Sequence, residues 1–532
     1  MGVLSRVAEA GLLSRFAEVD VLEQLYEHRL AAVALVGVGV WVLRKLRAYW
    51  RLRRFKGPRG TGFFGLWHCR AILSYRSHKK YKEVIDTYGP IARVGPNSLL
   101  TSDPELWMHM SSVRSSYSRA PWFVRATRFQ AGKDHVFSQT DEQKHKIRRQ
   151  QMAPGYSGKE NRALEESVDI HIAELINLTR TKYLSTEAQA KPMDLARKMS
   201  FLTLDVISHI GFGEPFGDLR ADDDVDGFLA AGDLGIWLNN HFMAWGLTEI
   251  VHIPWLFRAL GPSERDKEGM GKMVANARKV IEARLAQGGD MSRKSDMLAS
   301  FMRHGLGKED LITEACLQII AGSDTTATSL RAIMLYVLSH PRVYRKLQEE
   351  VDSVVRAGQA APFPSVVPDA VARKMPYLQA VIKEGMRIHP PVTNEVPKRV
   401  PDGGDTVTLD GEPVWLPGGT YVGIASMAML RRPSVFGEDA DEFRPERWLL
   451  ERDEQKLAAM SRTVDLVFGY GKYQCLGKAI ALTEIGKALF EMIRNFDWCL
   501  ANPEQPWTEL NFAGIFTHSD MWVLATERET AP

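Results

Sequence analysis

Of the four cysteines in this 532-residue chain, Cys475 stands apart by what surrounds it. It lies in the run FGYGKYQCLG, Phe468 to Gly477. Gly469 and Gly471 permit a tight turn whose backbone N–H groups can point at the sulfur. From Leu476 onward, LGKAIALTEIGKALFEMI has the spacing of an amphipathic helix, so Cys475 falls at a helix N-terminus. The partial positive charge there favours the thiolate, the form of sulfur that ligates a metal. Gly477 lets that helix approach a flat group closely. A buried structural cysteine is the usual fate of a lone thiol, but the glycine-flanked, helix-opening setting favours a ligand. No GxGxxG or GK[ST] pattern is present, so the loop is not built for nucleotide phosphates. Cys69, Cys316 and Cys499 are widely spaced and form no C-x-x-C pair, which excludes a disulfide framework and zinc-finger spacing.

A second group sits in a helical stretch from about Glu309 to His340, stopped by Pro341. Its middle reads AGSDTT, Ala321 to Thr326. Gly and consecutive Thr cost about 0.5–1 kcal/mol each in a helix interior, and such local violations tend to mark functional positions. Asp324 and Thr325 offer a carboxylate next to a hydroxyl, the parts of a proton relay. The bland alternative is a helix whose hydroxyls bond back to the preceding turn. Glu384 and Arg387 are spaced i, i+3 so that their charges can meet, and Arg447 follows in FRPERW. His145 and Arg149 are spaced i, i+4 and share a helix face, among Lys144, Lys146 and Arg148, which read as a solvated basic surface.

These groups need a large scaffold, and the chain supplies one, with 45% hydrophobic residues and a quarter charged. The formal net charge of +3 gives no basic field for nucleic acid. Short strand-like runs cluster early (91–94, 98–101) and late (407–409, 421–425, 521–525), around a long helical stretch from about Asp141 to Gly358. The expected class is mainly α with small β-sheets, an α+β arrangement. Leu30 to Leu43 is uncharged, and a dense block of Arg and Lys follows it from Arg44 to Arg59. Met1 to Arg29 carries three basic and five acidic residues, so the positive-inside rule keeps the basic flank cytosolic. The run is short against the ~20 residues that cross a bilayer, with flanking aromatics available to extend it. The expectation is a lumenal segment 1–29, a single-pass anchor 30–50, a stiff basic and Gly/Pro-rich linker 51–65, and a catalytic body 66–532. An interfacial helix is the alternative for the anchor.

Taken in order, these motifs resemble those of the cytochrome P450 superfamily across Gly57 to Arg528. FGYGKYQCLG is similar to the family's F-G-x-G-x-[RH]-x-C-x-G pattern except at Tyr473, where the family usually supplies a cation. AGSDTT resembles [AG]-G-x-[DE]-T-[TS], Glu384–Arg387 the E-x-x-R pair, and Pro445–Trp448 the P-E-R-[FW] segment. The wording GKYQCLGK is closest in kind to microsomal fungal members of the pisatin-demethylase type.

The resemblance implies a P450 fold with an N-terminal transmembrane helix, and heme b (iron protoporphyrin IX) held by Cys475 as metal ligand. Phe468, Gly469 and Ala321 would line the haem, and His145, Arg149 and Arg399 would meet its propionates. Asp324 and Thr325 would deliver protons to bound O2. It also implies a monooxygenase that inserts one oxygen atom into a lipophilic small molecule, a terpenoid or polyketide intermediate of secondary metabolism. NADPH-derived electrons would come from NADPH-cytochrome P450 reductase, with cytochrome b5 as a further donor, at the endoplasmic reticulum membrane. No flavin domain follows the haem domain, and Lys472 and Lys478 would offer a docking face. Substrate contacts are expected from 117–137, 389–397 and 513–517, where Asn394 and Glu395 are unusually polar. A peroxide-rearranging enzyme of the same fold, or a non-catalytic haem or lipid binder, are the alternatives. The Asp324-Thr325 pair argues against the first, and the joint retention of ligand and relay against the second.

Overall fold

The computed structural model describes residues 28–528 except 30, 131, 162, 252, 287–295 and 395. Helices dominate, and the strands are confined to small sheets. In chain order the strands are β1 (Ile91–Gly95), β2 (Ser98–Thr101), β3 (Ser118–Arg119), β4 (Met193–Asp194), β5 (Lys398–Arg399) and β6 (Asp405–Leu409). They continue as β7 (Glu412–Leu416), β8 (Tyr421–Ile424), β9 (Phe496–Leu500), β10 (Thr508–Phe512), β11 (Ile515–Ser519) and β12 (Trp522–Glu527). The largest sheet has the order β1-β2-β8-β5-β3. Its β2–β8 pair is parallel, with Ser98 opposite Tyr421, whereas β3 and β5 run antiparallel with Arg119 opposite Lys398. A three-stranded sheet β4-β12-β9 and the hairpins β6–β7 and β10–β11 complete the strands.

The helix Lys308–Leu338 has 31 residues, so it spans about 46 Å. Gly307 precedes it, Glu309 and Asp310 occupy its first turn, and it ends ahead of Pro341, as the sequence requires. It packs along the helix Leu195–Phe212, and Gly322 faces Ile207 at the crossing. A Cβ at Gly322 would stand 2.7 Å from Ile207 Cγ1, so part of the helix-weakening composition there serves packing. The same long helix touches Pro376–Ile388 and Lys478–Asn495, so it threads the main core. A second core around Trp107, Val400, Leu416 and Trp448 underlies the largest sheet.

Glu384 and Arg387 on Pro376–Ile388 are fully buried and doubly bonded, at 2.8 and 2.9 Å. Arg447 Nε (2.8 Å), Trp448 Nε1 (3.0 Å) and the Arg444 N–H (2.9 Å) also donate to the Glu384 carboxylate. Arg387 in turn donates to the carbonyls of Leu430, Ala440 and Glu442. Every polar atom of the pair is thereby matched, as a charge removed from water requires. This network knits the 426–447 segment to the helix and leads into the cysteine loop.

The N-terminal expectations change in two ways. Residues 31–51 form one helix whose apolar side chains, such as Val33, Leu35 and Leu43, are exposed. Only 31–43 is uncharged, about 20 Å of helix against a hydrocarbon core of about 30 Å. Among the described residues no helix is long and apolar enough to cross a membrane. The expected lumenal segment lies outside the described residues, apart from 28 and 29. Segment 51–65, expected as a linker, is packed on the body. Leu52 and Phe55 are buried in the second core, the Lys56 carbonyl accepts from Arg93 N–H at 2.7 Å, and Arg93 binds the carbonyls of Ala48, Tyr49 and Gly62.

Candidate active site

The cysteine loop is two short 3-10 turns, Leu466–Phe468 and Gly471–Tyr473, leading into the helix Lys478–Asn495. The Phe468 carbonyl accepts the Cys475 N–H at 2.7 Å and closes the loop. Gly469 and Gly471 have φ of 68° and 57°. A Cβ at Gly471 would stand 2.4 Å from the Ser111 carbonyl, so glycine is required twice over there. Cys475 precedes the helix by three residues, and the backbone N–H groups of Gly477 and Lys478 point at its sulfur. Burial raises the thiol pKa, and these N–H groups with Arg149 and Lys478 oppose it. The residue is nevertheless exposed.

Ala321 lies at the middle of the long helix, yet it is exposed and Thr325 one turn on is partly so, while Cys316, Ile319, Ala327 and Leu330 are buried. The helix thus opens one face onto internal space. Thr325 Oγ1 donates to the Ala321 carbonyl at 2.8 Å, the back-bonded state. Asp324 Oδ1 stands 3.9 Å from Arg331, and Oδ2 is buried without a hydrogen-bond partner. Burial pushes the Asp324 pKa up to about 6, with Arg331 opposing.

Beside the loop the structure concentrates cations. Arg119 and Lys398 are buried and face each other across β3 and β5. Lys398 Nζ lies 4.0 Å from the centroid of the Tyr473 ring, Arg119 4.8 Å and Lys472 5.1 Å. Tyr473 donates to Glu142 Oε1 at 2.5 Å. His145 is buried with its ring 5.4 Å from that of Tyr473. Burial, then Arg119, Arg149, Lys472 and Lys398, depress the His145 pKa to about 3, so the ring is neutral. Arg149 donates to the Gln474 carbonyl at 2.7 Å, next to the cysteine.

The expected site residues divide accordingly. Cys475, Phe468, Gly469, His145 and Arg149 come together around the loop, and Ala321, Asp324 and Thr325 share the middle of the long helix. Arg399 does not join them. Strand alternation turns it outward to Asp402, at 2.5 Å, and turns its neighbour Lys398 inward. Arg148, read as part of a solvated surface, instead pairs with buried Glu314 at 2.8 Å and with Asp310 at 2.7 Å. Lys472, expected on a docking face, turns inward to the carbonyls of Ser115 (3.0 Å) and Tyr117 (2.9 Å), and Lys478 pairs with Asp465. Sequence reasoning missed Arg119 and Lys398; the signal available was the strand period, which sends neighbours to opposite faces.

The three segments expected to face substrate also meet. Ala120 N–H donates to the Pro397 carbonyl (2.8 Å), and Thr393 N–H to that of Gly514 (2.8 Å). Asn394 Nδ2 donates to Ser77 Oγ at 3.2 Å, so the side chain is engaged with the body of the protein. Glu395 lies outside the described residues.

A family model described as Cytochrome P450 matches residues 56–522. The chain belongs to the cytochrome P450 family. It is 38% identical over 517 residues to a cytochrome P450 monooxygenase ABA1 of Pyricularia oryzae, covering 96% of this chain and 99% of that one. It is 36% identical over 485 residues to aba1 of Botryotinia fuckeliana, at 90% and 92% coverage. With gsfF of Penicillium aethiopicum the identity is 30% over 474 residues, at 86% and 90% coverage. The protein is therefore a cytochrome P450 monooxygenase with fungal relatives. The P450 family implies haem, and the residues present fit it. Cys475 is exposed with backbone N–H groups toward its sulfur, and the long helix leaves Ala321 exposed at its middle. Among the described residues the buried Arg119 Nε has no hydrogen-bond partner, and Arg119, Lys398 and Lys472 gather around the Tyr473 ring. Cations so placed suit the two propionates.

Proposed function

We propose that this P450 inserts one oxygen atom from O2 into a lipophilic small molecule, a terpenoid or polyketide intermediate. Electrons come from an NADPH-cytochrome P450 reductase, with cytochrome b5 as a further donor. The observation that carries the reading is exposed Cys475, with the N–H groups of Gly477 and Lys478 toward its sulfur, together with a long helix that leaves Ala321 exposed at its middle. Bound haem supplies O2 activation, with Cys475 as the iron ligand. Gly477 and Lys478 N–H groups and Arg149 favour the ionised sulfur against the burial that raises its pKa. Arg119 and Lys398, with Arg149 and neutral His145, hold the haem carboxylates; Arg399 takes no part. Thr325 turns its hydroxyl from the Ala321 carbonyl toward the reaction space to pass a proton. Asp324, with a pKa near 6 and one unbonded oxygen, recharges it. Incubation with reductase, NADPH and ¹⁸O2 tests this: one labelled atom in the product is expected, and product without label contradicts it. The exposed apolar face of 31–43 and the basic block after it support anchoring to the endoplasmic reticulum membrane with a cytosolic body. Release of the protein by alkaline carbonate alone would contradict the anchor.

A further inference from the structure

Away from the cysteine loop, three imidazoles and one carboxylate converge where the β10–β11 hairpin meets two helices. His78 opens the helix Ser77–Tyr88, and His389 caps the C-terminus of Pro376–Ile388. Glu509 and His518 stand opposite each other on the hairpin, so their side chains leave the same face. His78, His389 and His518 are 1%, 4% and 6% exposed. Glu509 Oε2 lies 2.8 Å from His389 Nε2 and 3.7 Å from His518 Nε2, and Oε1 lies 3.4 Å from His78 Nε2. One donor atom each from His389, Glu509 and His518 falls within 4.8 Å of the other two. Lys79 also reaches Glu509, at 3.6 Å, on a side chain exposed enough to swing away.

The polar accounting does not close within the protein. His389 makes a hydrogen bond to Glu509, but both ring nitrogens of His78 and of His518 are buried without one. Buried polar groups are ordinarily paired, so each orphan calls for a partner. Imidazole nitrogens plus one carboxylate are a borderline donor set that suits zinc. With bonds of ~2.0–2.1 Å, a tetrahedral ion needs donors about 3.3–3.4 Å apart; Glu509 Oε2 stands 2.8 Å from His389 and 3.7 Å from His518, on either side of that value, and Oε1 stands 3.4 Å from His78. Phe516 packs 4.9 Å from the His78 ring and 4.3 Å from that of His389, and Trp507 4.2 Å from that of His518, which fixes the ring orientations. A cavity of about 350 Å³, lined by His78, His389, Glu509, Trp507, Tyr336 and Arg431 among others, gives the cluster an entry path.

We propose that His389, Glu509 and His518, completed by His78, form a second metal site that takes one zinc ion. Its ligands come from three distant parts of the chain, so the ion staples the β10–β11 hairpin to the two helices. The hairpin tip bonds Thr393 through Gly514, within the substrate-facing segments, so occupancy stiffens that wall.

The test uses full-length, haem-loaded protein stripped with a chelator and titrated with zinc against a chromophoric competitor. One tight zinc per chain is expected, with an X-ray absorption spectrum at the zinc edge fitted by nitrogen and oxygen neighbours at ~2.0–2.1 Å. His518→Gln and His78→Gln should weaken zinc by on the order of 100-fold or more while the reduced-CO spectrum stays that of the parent. Stoichiometric zinc that both variants retain unchanged overturns the proposal. So does the absence of micromolar binding, or an absorption spectrum showing sulfur or an all-oxygen shell. The absorption measurement on the parent protein stands even if a variant fails to fold.

Discussion

Cys475 is held between two opposed effects, burial that favours the thiol and N–H groups that favour the thiolate. Cys475 would hold the haem iron as the deprotonated sulfur, since a metal ligand must give up its proton. This was legible from sequence since the turn glycines and the helix start adjoin the cysteine in the chain. The tyrosine at 473 was legible as a departure, but its consequence was not: cations surround its ring, and its hydroxyl goes to Glu142. The proton path is also a matter of single residues. Thr325→Ala should leave the reduced-CO spectrum unchanged, lower product formation by on the order of 10²-fold, and release peroxide in place of product. Comparing NADPH consumed with product and peroxide formed checks this, and tight coupling in the variant would remove Thr325 from the path.

At the scale of elements, strand pairing decides which cations enter the site. The β3–β5 register sets Arg119 beside Lys398 and sends Arg399 outward. One residue of alternation reverses an assignment that looks equally good in sequence, and Arg119 is too far along the chain for its pairing with Lys398 to be read locally. A charge-assisted hydrogen bond contributes ~1.5–3 kcal/mol. Lys398→Met should therefore speed haem loss to apomyoglobin about 10- to 100-fold, and Arg399→Met should not. Equal effects from the two variants would contradict the strand register as the determinant. The long helix was legible within two residues at each end because charge and proline mark its limits. Its glycine was half legible, since only the structure assigns Gly322 to the crossing with Ile207.

The whole molecule is pinned by buried polar contacts, in the Glu384–Arg387–Arg447 network and in the Arg148–Glu314 pair. Motif spacing made the first readable; the second was masked by a run of basic residues that looked solvated. Burial raises the Glu314 pKa to about 7. The native state therefore holds a proton that the unfolded chain gives up near its ordinary value of 4.5. The associated stability is complete below pH 4.5 and is lost as the pH rises toward 7. Glu314→Gln should remove that loss, about 3 kcal/mol at most, so that thermal midpoints of variant and parent diverge between pH 5 and 7.5. Parallel pH curves would contradict it. Above all of these stands the claim that Cys475 ligates haem iron in a cleft built by the loop and the long helix. The reduced-CO difference spectrum of Cys475→Ser, beside that of the parent at matched haem content, tests it most directly. A thiolate-type Soret band in the parent and its loss in the variant is the predicted result; an unchanged thiolate-type band in the variant would contradict the account.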